Sequence, residues 1–153
     1  MIAGRLAGIA RRDRPRGPMQ VIQQVDVTRE LGVAGEYRGA IQPGKSGRRQ
    51  ISLLEAESWA AAMADLDADV PWQERRANLL VSGIRLPREV GRVIAIGPAL
   101  RIEITCECDP CRRMEEVAPG LMAALMPDWR GGVLGRVISE GAIGVGDEVR
   151  IEQ

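Results

Sequence analysis

The residues best suited to chemistry lie in one nonapeptide, CECDPCRRM, Cys106 to Met114, which holds all three cysteines of the chain. Thiols this close together could ligate a metal, form a redox pair, or include one reactive sulfur among inert ones. Structural zinc is held overwhelmingly by four Cys or His ligands. This chain has no histidine, so a fourth ligand would have to be a carboxylate such as Glu107 or Asp109. Cys108 and Cys111 have C-x-x-C spacing but lack the βαβ surroundings in which that motif serves as a disulfide redox pair. The residues ALRIEITCEC read as a strand, in which successive side chains face opposite sides. Leu100, Ile102, Ile104, Cys106 and Cys108 then share one face, and the first two cysteines are expected to continue it as small buried hydrophobes. Cys111 lies beyond the strand, after the turn pair Asp109-Pro110 and directly before Arg112 and Arg113. A helix starting there would set backbone amides and two guanidinium groups around the sulfur and stabilise its thiolate. Cys111 is the candidate reactive sulfur.

The elements that would position this sulfur are short. Glycine and proline cut the sequence into runs of a strand's length rather than a helix's. GRLAGIARR, PMQVIQQVDV, RRQISLL, NLLVSGIRL, GRVIAIG and ALRIEITCEC read as strands, and GVLGRVISEG and VGDEVRIEQ as two last strands joined by a glycine turn. EAESWAAAMADL is the clearest helix, with Ala56, Trp59, Ala60, Met63 and Leu66 at helical spacing. Trp59 at that spacing is expected in the core. A short helix is expected after Cys111, broken by APG and restarted as LMAALM. The stretch from Val33 to Arg48 is irregular, and loops of that length are often functional. Many short strands without βα alternation favour a mainly β fold, a closed or partly closed barrel with a few short helices, because closure removes exposed strand edges.

Composition narrows the function. The 153 residues fit one domain spanning 1–153, and 21 basic residues balance 21 acidic ones, so there is no general excess of charge to attract nucleic acid. Lys45 is the only lysine; the arginines suit bidentate capture of phosphate or carboxylate at a local site. The absence of histidine excludes Ser-His-Asp and Cys-His catalysis within this chain. No apolar run is long enough to span a membrane and no secretory signal is present, so a cytoplasmic protein without membrane or nucleic-acid partners is expected.

Several segments recur in a recognisable order: GEYRG, RRQISLLEAESW, RRANLLVSGIRL, VGRVIAIGPALRIEITCECDPCRRM and WRGGVLGRVISEGAIGVGDEVRIEQ. Together they resemble the MOSC domain family, named for the C-terminal domain of molybdenum cofactor sulfurase, over roughly Arg5 to Glu152. The resemblance implies a stand-alone MOSC-type β-barrel whose cysteine ligates molybdenum or carries persulfide sulfur. In relatives of the mitochondrial amidoxime-reducing component, the resemblance further implies reduction of N-hydroxylated compounds. Carried onto this chain, Cys111 is the molybdenum ligand or sulfur carrier, and Arg76 and Asn78 match the motif that holds the pterin and its phosphate. Arg49, Ser52 and Ser58 lie in a segment that contributes polar contacts, Arg112 flanks the cysteine, and Gly131 and Gly132 would admit a ligand close to the backbone. On the residues alone, Arg75 and Arg76 read equally as a solvated charged turn, and Asn78 as a turn cap. The chain departs from the family pattern in two places: Gly35-Glu36 and Arg38 stand where Gly-Asp and a histidine are common, and Asp109 stands two before the cysteine. Asp109 beside an anionic cofactor calls for pairing, with Arg112 or Arg113 the nearest cations. A noncatalytic sulfur-carrier domain is the alternative function. The implied partners are cofactor- or sulfur-delivery proteins and an external electron donor. Pyridoxal phosphate is not expected, since Lys45 in a glycine-rich loop lacks the setting of a Schiff-base lysine.

Overall fold

In the computed structural model, which describes residues 3–152, the glycine-punctuated runs fold into short strands. They are β1 (Gly4–Arg11), β2 (Gln20–Ile22), β3 (Gln24–Thr28), β4 (Gly32–Val33), β5 (Ile51–Glu55), β6 (Leu79–Ser82), β7 (Val93–Ile96), β8 (Leu100–Glu107), β9 (Val133–Ser139), β10 (Gly141–Gly144) and β11 (Glu148–Glu152). The helices are α1 (Ala56–Leu66), α2 (Arg112–Val117) and α3 (Leu121–Ala124), with 3-10 turns at Trp72–Arg75 and Pro127–Trp129. The large sheet runs β11-β7-β8-β9-β5-β6-β1-β2, and pairing of β11 with β1 closes seven of its strands into a barrel. Every pairing is antiparallel except β5 with β6, which is parallel. That one parallel step requires a long crossover, and α1 with the first 3-10 turn supplies it.

Period-two alternation divides the apolar residues between two cores. Leu53 and Leu79 point into the barrel with Ile51, Val81, Ile102 and Ile104. Leu54 and Leu80, one residue on, point outward and pack under Trp59, Met63, Met114 and Leu121 of the helices. Burying each such aliphatic side chain contributes about 1.5–3 kcal/mol, and the two layers hold the barrel wall between them. Trp59 is core as expected, and its indole N–H donates to Val70 O at 2.9 Å. On α1 the buried face contains Ala62 rather than Ala60.

Three strand expectations change. PMQVIQQVDV divides into β2 and β3, which belong to different sheets, and NLLVSGIRL keeps only four residues of strand. The glycine turn expected between GVLGRVISEG and VGDEVRIEQ is instead part of β10, which pairs with β3 in a three-stranded sheet β10-β3-β4. Ile143 on β10 buries beside Val25 and Val27 on β3, so apolar contact outweighs the turn tendency of the flanking glycines.

Candidate functional site

A hydrogen-bonded row across the wall runs Glu107, Val133, Leu53, Leu79 and Ile9, the last four being buried residues of the barrel core. The adjacent row, Cys106, Leu134, Ser52, Asn78 and Ala10, starts from the opposite face. The cysteines reach this outer row because of a β-bulge. Ile104 pairs with Gly135, Thr105 is passed over, and Cys106 pairs with Leu134. One extra residue inverts every later side chain. The expectation that Cys106 and Cys108 continue the apolar face of Ile104 is therefore corrected: both are only partly buried and Glu107 takes the position opposite Val133.

Beside the outer row lies a cavity of about 300 Å³, bounded by the end of β8, the start of α2, the 3-10 turn before β6 and the segment after β4. Cys108 and Cys111 both line it. Cys111 is exposed and is the N-cap of α2, so a helix does begin where expected. Cys108 and Cys111 are both free thiols, and the segment joining them carries no helix, strand or turn. Asp109 also lines the cavity, but among the described residues neither Arg112 nor Arg113 forms an ion pair with it. Its close neighbour is Glu107, whose carboxyl is pushed up by burial and by the charge of Asp109.

Seven arginines line the cavity (Arg12, Arg16, Arg38, Arg49, Arg75, Arg76 and Arg113) against two carboxylates, Glu36 and Asp109. Arg75, read from sequence as part of a possible charged turn, is instead 7% exposed. Its Nε donates to Gly131 O at 3.0 Å, and its Nη2 to Cys108 O at 2.8 Å and Cys108 Sγ at 3.3 Å. It thereby ties the cysteine segment to the start of β9. Arg76 occupies the left-handed region at φ 68, which turns its side chain away from that of Arg75 and toward Gly17 O, to which Nη2 donates at 2.5 Å. Burial and the neighbouring charges of Arg12 and Arg113 pull the Arg76 guanidinium down to about 10. Arg12 is lowered in the same direction, chiefly by burial. The Nε atoms of both Arg12 and Arg76 are buried without a hydrogen-bond partner. Unmet buried donors are costly, and here they sit among mutually repelling cations, a setting that favours an anion.

Asn78 and Glu36 brace this arrangement from below. Asn78 Nδ2 donates to Ala10 O at 3.2 Å and to Glu36 Oε1 at 3.1 Å, and its Oδ1 accepts from Ser52 N at 3.1 Å and Ser52 Oγ at 3.3 Å. All four hydrogen-bonding positions of the amide are occupied within the protein. Glu36 also accepts from the backbone N–H of Arg12 and of Arg38, each at 3.1 Å. Tyr37, whose ring lies under the guanidinium groups of Arg12 and Arg38 at 5.1 and 5.8 Å, forms one wall. The Arg38 hydrogen bond to its hydroxyl lowers the phenol's proton affinity.

Of the residues singled out from the sequence, Cys111, Arg76, Asn78, Arg49 and Ser52 line the cavity. Ser58, Arg112, Gly131 and Gly132 do not. Ser58 faces away, donating to Glu55 Oε1 at 2.8 Å. Arg112 points off the first turn of α2, and Arg113 takes the place expected of it. Gly131 and Gly132 serve the close approach of backbone to backbone rather than to a ligand. A Cβ on Gly131 would stand 2.5 Å from Cys108 O, and one on Gly132, at φ +102, 2.2 Å from Leu53 O. Arg113, expected beside the Cys111 sulfur, does line the cavity, and Cys108, expected in the core, lines it too. Sequence reasoning missed the part played by Arg12, Glu36 and Arg75. GEYRG contained one of them in view, but nothing local shows that Glu36 reaches Asn78 from 42 residues away.

Comparison with known proteins agrees with this fold. Residues 28–150 match the MOSC domain family. No protein of curated function matches the sequence. Among solved structures, the YuaD protein from Bacillus subtilis superposes with a TM-score of 0.83 at 17% identity, over 98% of this chain and 96% of that one. YiiM from Geobacillus stearothermophilus superposes with a TM-score of 0.72 at 15% identity, over 98% of this chain and 75% of that one. YiiM from Escherichia coli gives 0.68 at 14% identity, over 97% and 70%. At such identities the likeness speaks for the fold alone, whereas the family match spans most of the sequence: the chain belongs to the MOSC domain family.

Proposed function

We propose that this chain binds a molybdenum-pterin cofactor with Cys111 as the protein's sulfur ligand to molybdenum, and that it reduces N-hydroxylated compounds. The observation that carries this reading is the pairing, in one cavity, of the exposed Cys111 with seven arginines against two carboxylates. A soft sulfur donor beside an unmet demand for an anion suits a group with a metal at one end and a phosphate at the other. Among the described residues no three Cys, Asp or Glu side chains converge as a metal cage, so a metal at Cys111 would draw its remaining ligands from the group that carries it. The MOSC family's association with molybdenum cofactor adds to this.

When bound, the cofactor supplies the two-electron chemistry. The chain's own residues bind and orient. Arg12, Arg76 and Arg113 would hold the phosphate, Arg75 fixes the segment bearing Cys111, and Glu36 with Asn78 holds the Arg12 backbone in place. Reduction of an N–OH group to N–H consumes two electrons and two protons and releases water. An external donor protein would supply the electrons, and cofactor-delivery proteins would load the site. Full-length protein purified from a host that makes the cofactor should contain stoichiometric molybdenum. Cys111→Ser should lose it, while Cys106→Ser and Cys108→Ser retain it. A persulfide on Cys111 with no molybdenum under those conditions would instead support the sulfur-carrier reading.

A further inference from the structure

Next to the cysteine cavity is a second, more open chamber of about 660 Å³, formed by the irregular segment 37–50 itself. Four cations line it, Arg38, Lys45, Arg48 and Arg49, and no carboxylate does. None of the four forms a salt bridge among the described residues. Ile41 and the Tyr37 ring add apolar surface. The segment is held to the barrel, because Thr105 Oγ1 donates to Arg48 O and Arg136 Nη1 to Ser46 O at 3.2 Å. Tyr37, Arg38 and Arg49 line both chambers, so the two adjoin. The volume falls in the range of small-molecule sites, about 300–1,000 Å³, and a concave cationic surface of that size suits a compact ligand.

We propose that this chamber seats the substrate, a small organic anion with an apolar or aromatic body, holding its charged head at Lys45 and Arg48 and presenting its other end to Cys111. Its role as a substrate seat rests on the proposed chemistry at Cys111; the binding of the anion does not. The test uses the full chain without cofactor, titrated calorimetrically at low salt with 2-naphthoate and its neutral isostere 2-naphthamide. The acid should bind about tenfold tighter or more, from two charge-assisted contacts. Lys45→Ala/Arg48→Ala should bring the two ligands to within about twofold, because both side chains are exposed and make no hydrogen bond that the change would break. The double variant should take up molybdenum as the parent does, which separates this site from the cofactor's. Equal binding of acid and amide would overturn the proposal. So would discrimination that survives the double variant but disappears with Arg12→Met, or binding of poly-glutamate with neither naphthyl compound.

Discussion

Replacing Asn78 with alanine separates a bracing role from a ligand-binding one. The substitution deletes both amide donors and the amide acceptor while leaving the backbone of residue 78 in place. Glu36 Oε1 would keep the Arg12 N–H, and Ser52 Oγ would keep the N–H of residue 78. Ser52 N–H, however, loses the acceptor Oδ1, and Ala10 O loses the donor Nδ2. Each buried group left without its partner costs about 1–3 kcal/mol, so the expected destabilisation is about 3 kcal/mol. With a urea m-value of about 2 kcal/mol/M for a chain of this size, the unfolding midpoint should fall by about 1.5 M. Ser52→Ala, which removes only the hydroxyl, should cost about 1 kcal/mol. Asn78→Asp should be worse than alanine at neutral pH. It sets a second carboxylate against Glu36 at the 3.1 Å contact, and two carboxylates so placed cannot both ionise without penalty. The measurement is urea unfolding of the cofactor-free protein followed by tryptophan fluorescence. A midpoint shift below about 0.5 M for the alanine variant would refute the bracing role and return Asn78 to the ligand-binding part that the family resemblance implies.

Gly132→Ala should cost more than about 3 kcal/mol or prevent folding, because φ of +102 is combined with a Cβ 2.2 Å from Leu53 O, which neither backbone can relieve locally; a thermal midpoint close to the parent's would contradict this. Glu55 is buried and accepts from Arg88, Ser58 Oγ and Leu86 N. Burial alone would raise its carboxyl, but these bonds outweigh it and hold the group below its ordinary value of 4.5. Its contribution is thus present above pH 4.5 and fades as pH falls through the lower folded value. Glu55→Gln should destabilise by about 3 kcal/mol near neutrality, and the gap from the parent should narrow in urea melts below pH 4. A gap independent of pH would show that the Glu55 charge is not what stabilises.

Local pattern was enough to read the strand-rich barrel, helix α1 and the helix start at Cys111, because each depends on side chains a few residues apart. The apolar period of α1 and the Asp-Pro break before Cys111 are visible without any partner. The glycine turn before β11 was misread because only contact with β3, more than a hundred residues earlier, makes that stretch a strand. The cysteine face was misread because a bulge is a property of a pair of strands: the single residue passed over at Thr105 exists only relative to β9. The same holds for the site. From sequence alone come the candidate sulfur Cys111, the Arg76 and Asn78 that line the same cavity, and a family. Tertiary structure alone decides that Arg75 is buried against Cys108, that Arg12 and Glu36 reach the site from the first quarter of the chain, and that Gly131 and Gly132 make room for backbone. Charge repulsion among arginines and the satisfaction of a buried amide are sums over neighbours in space, and only barrel closure brings those neighbours together.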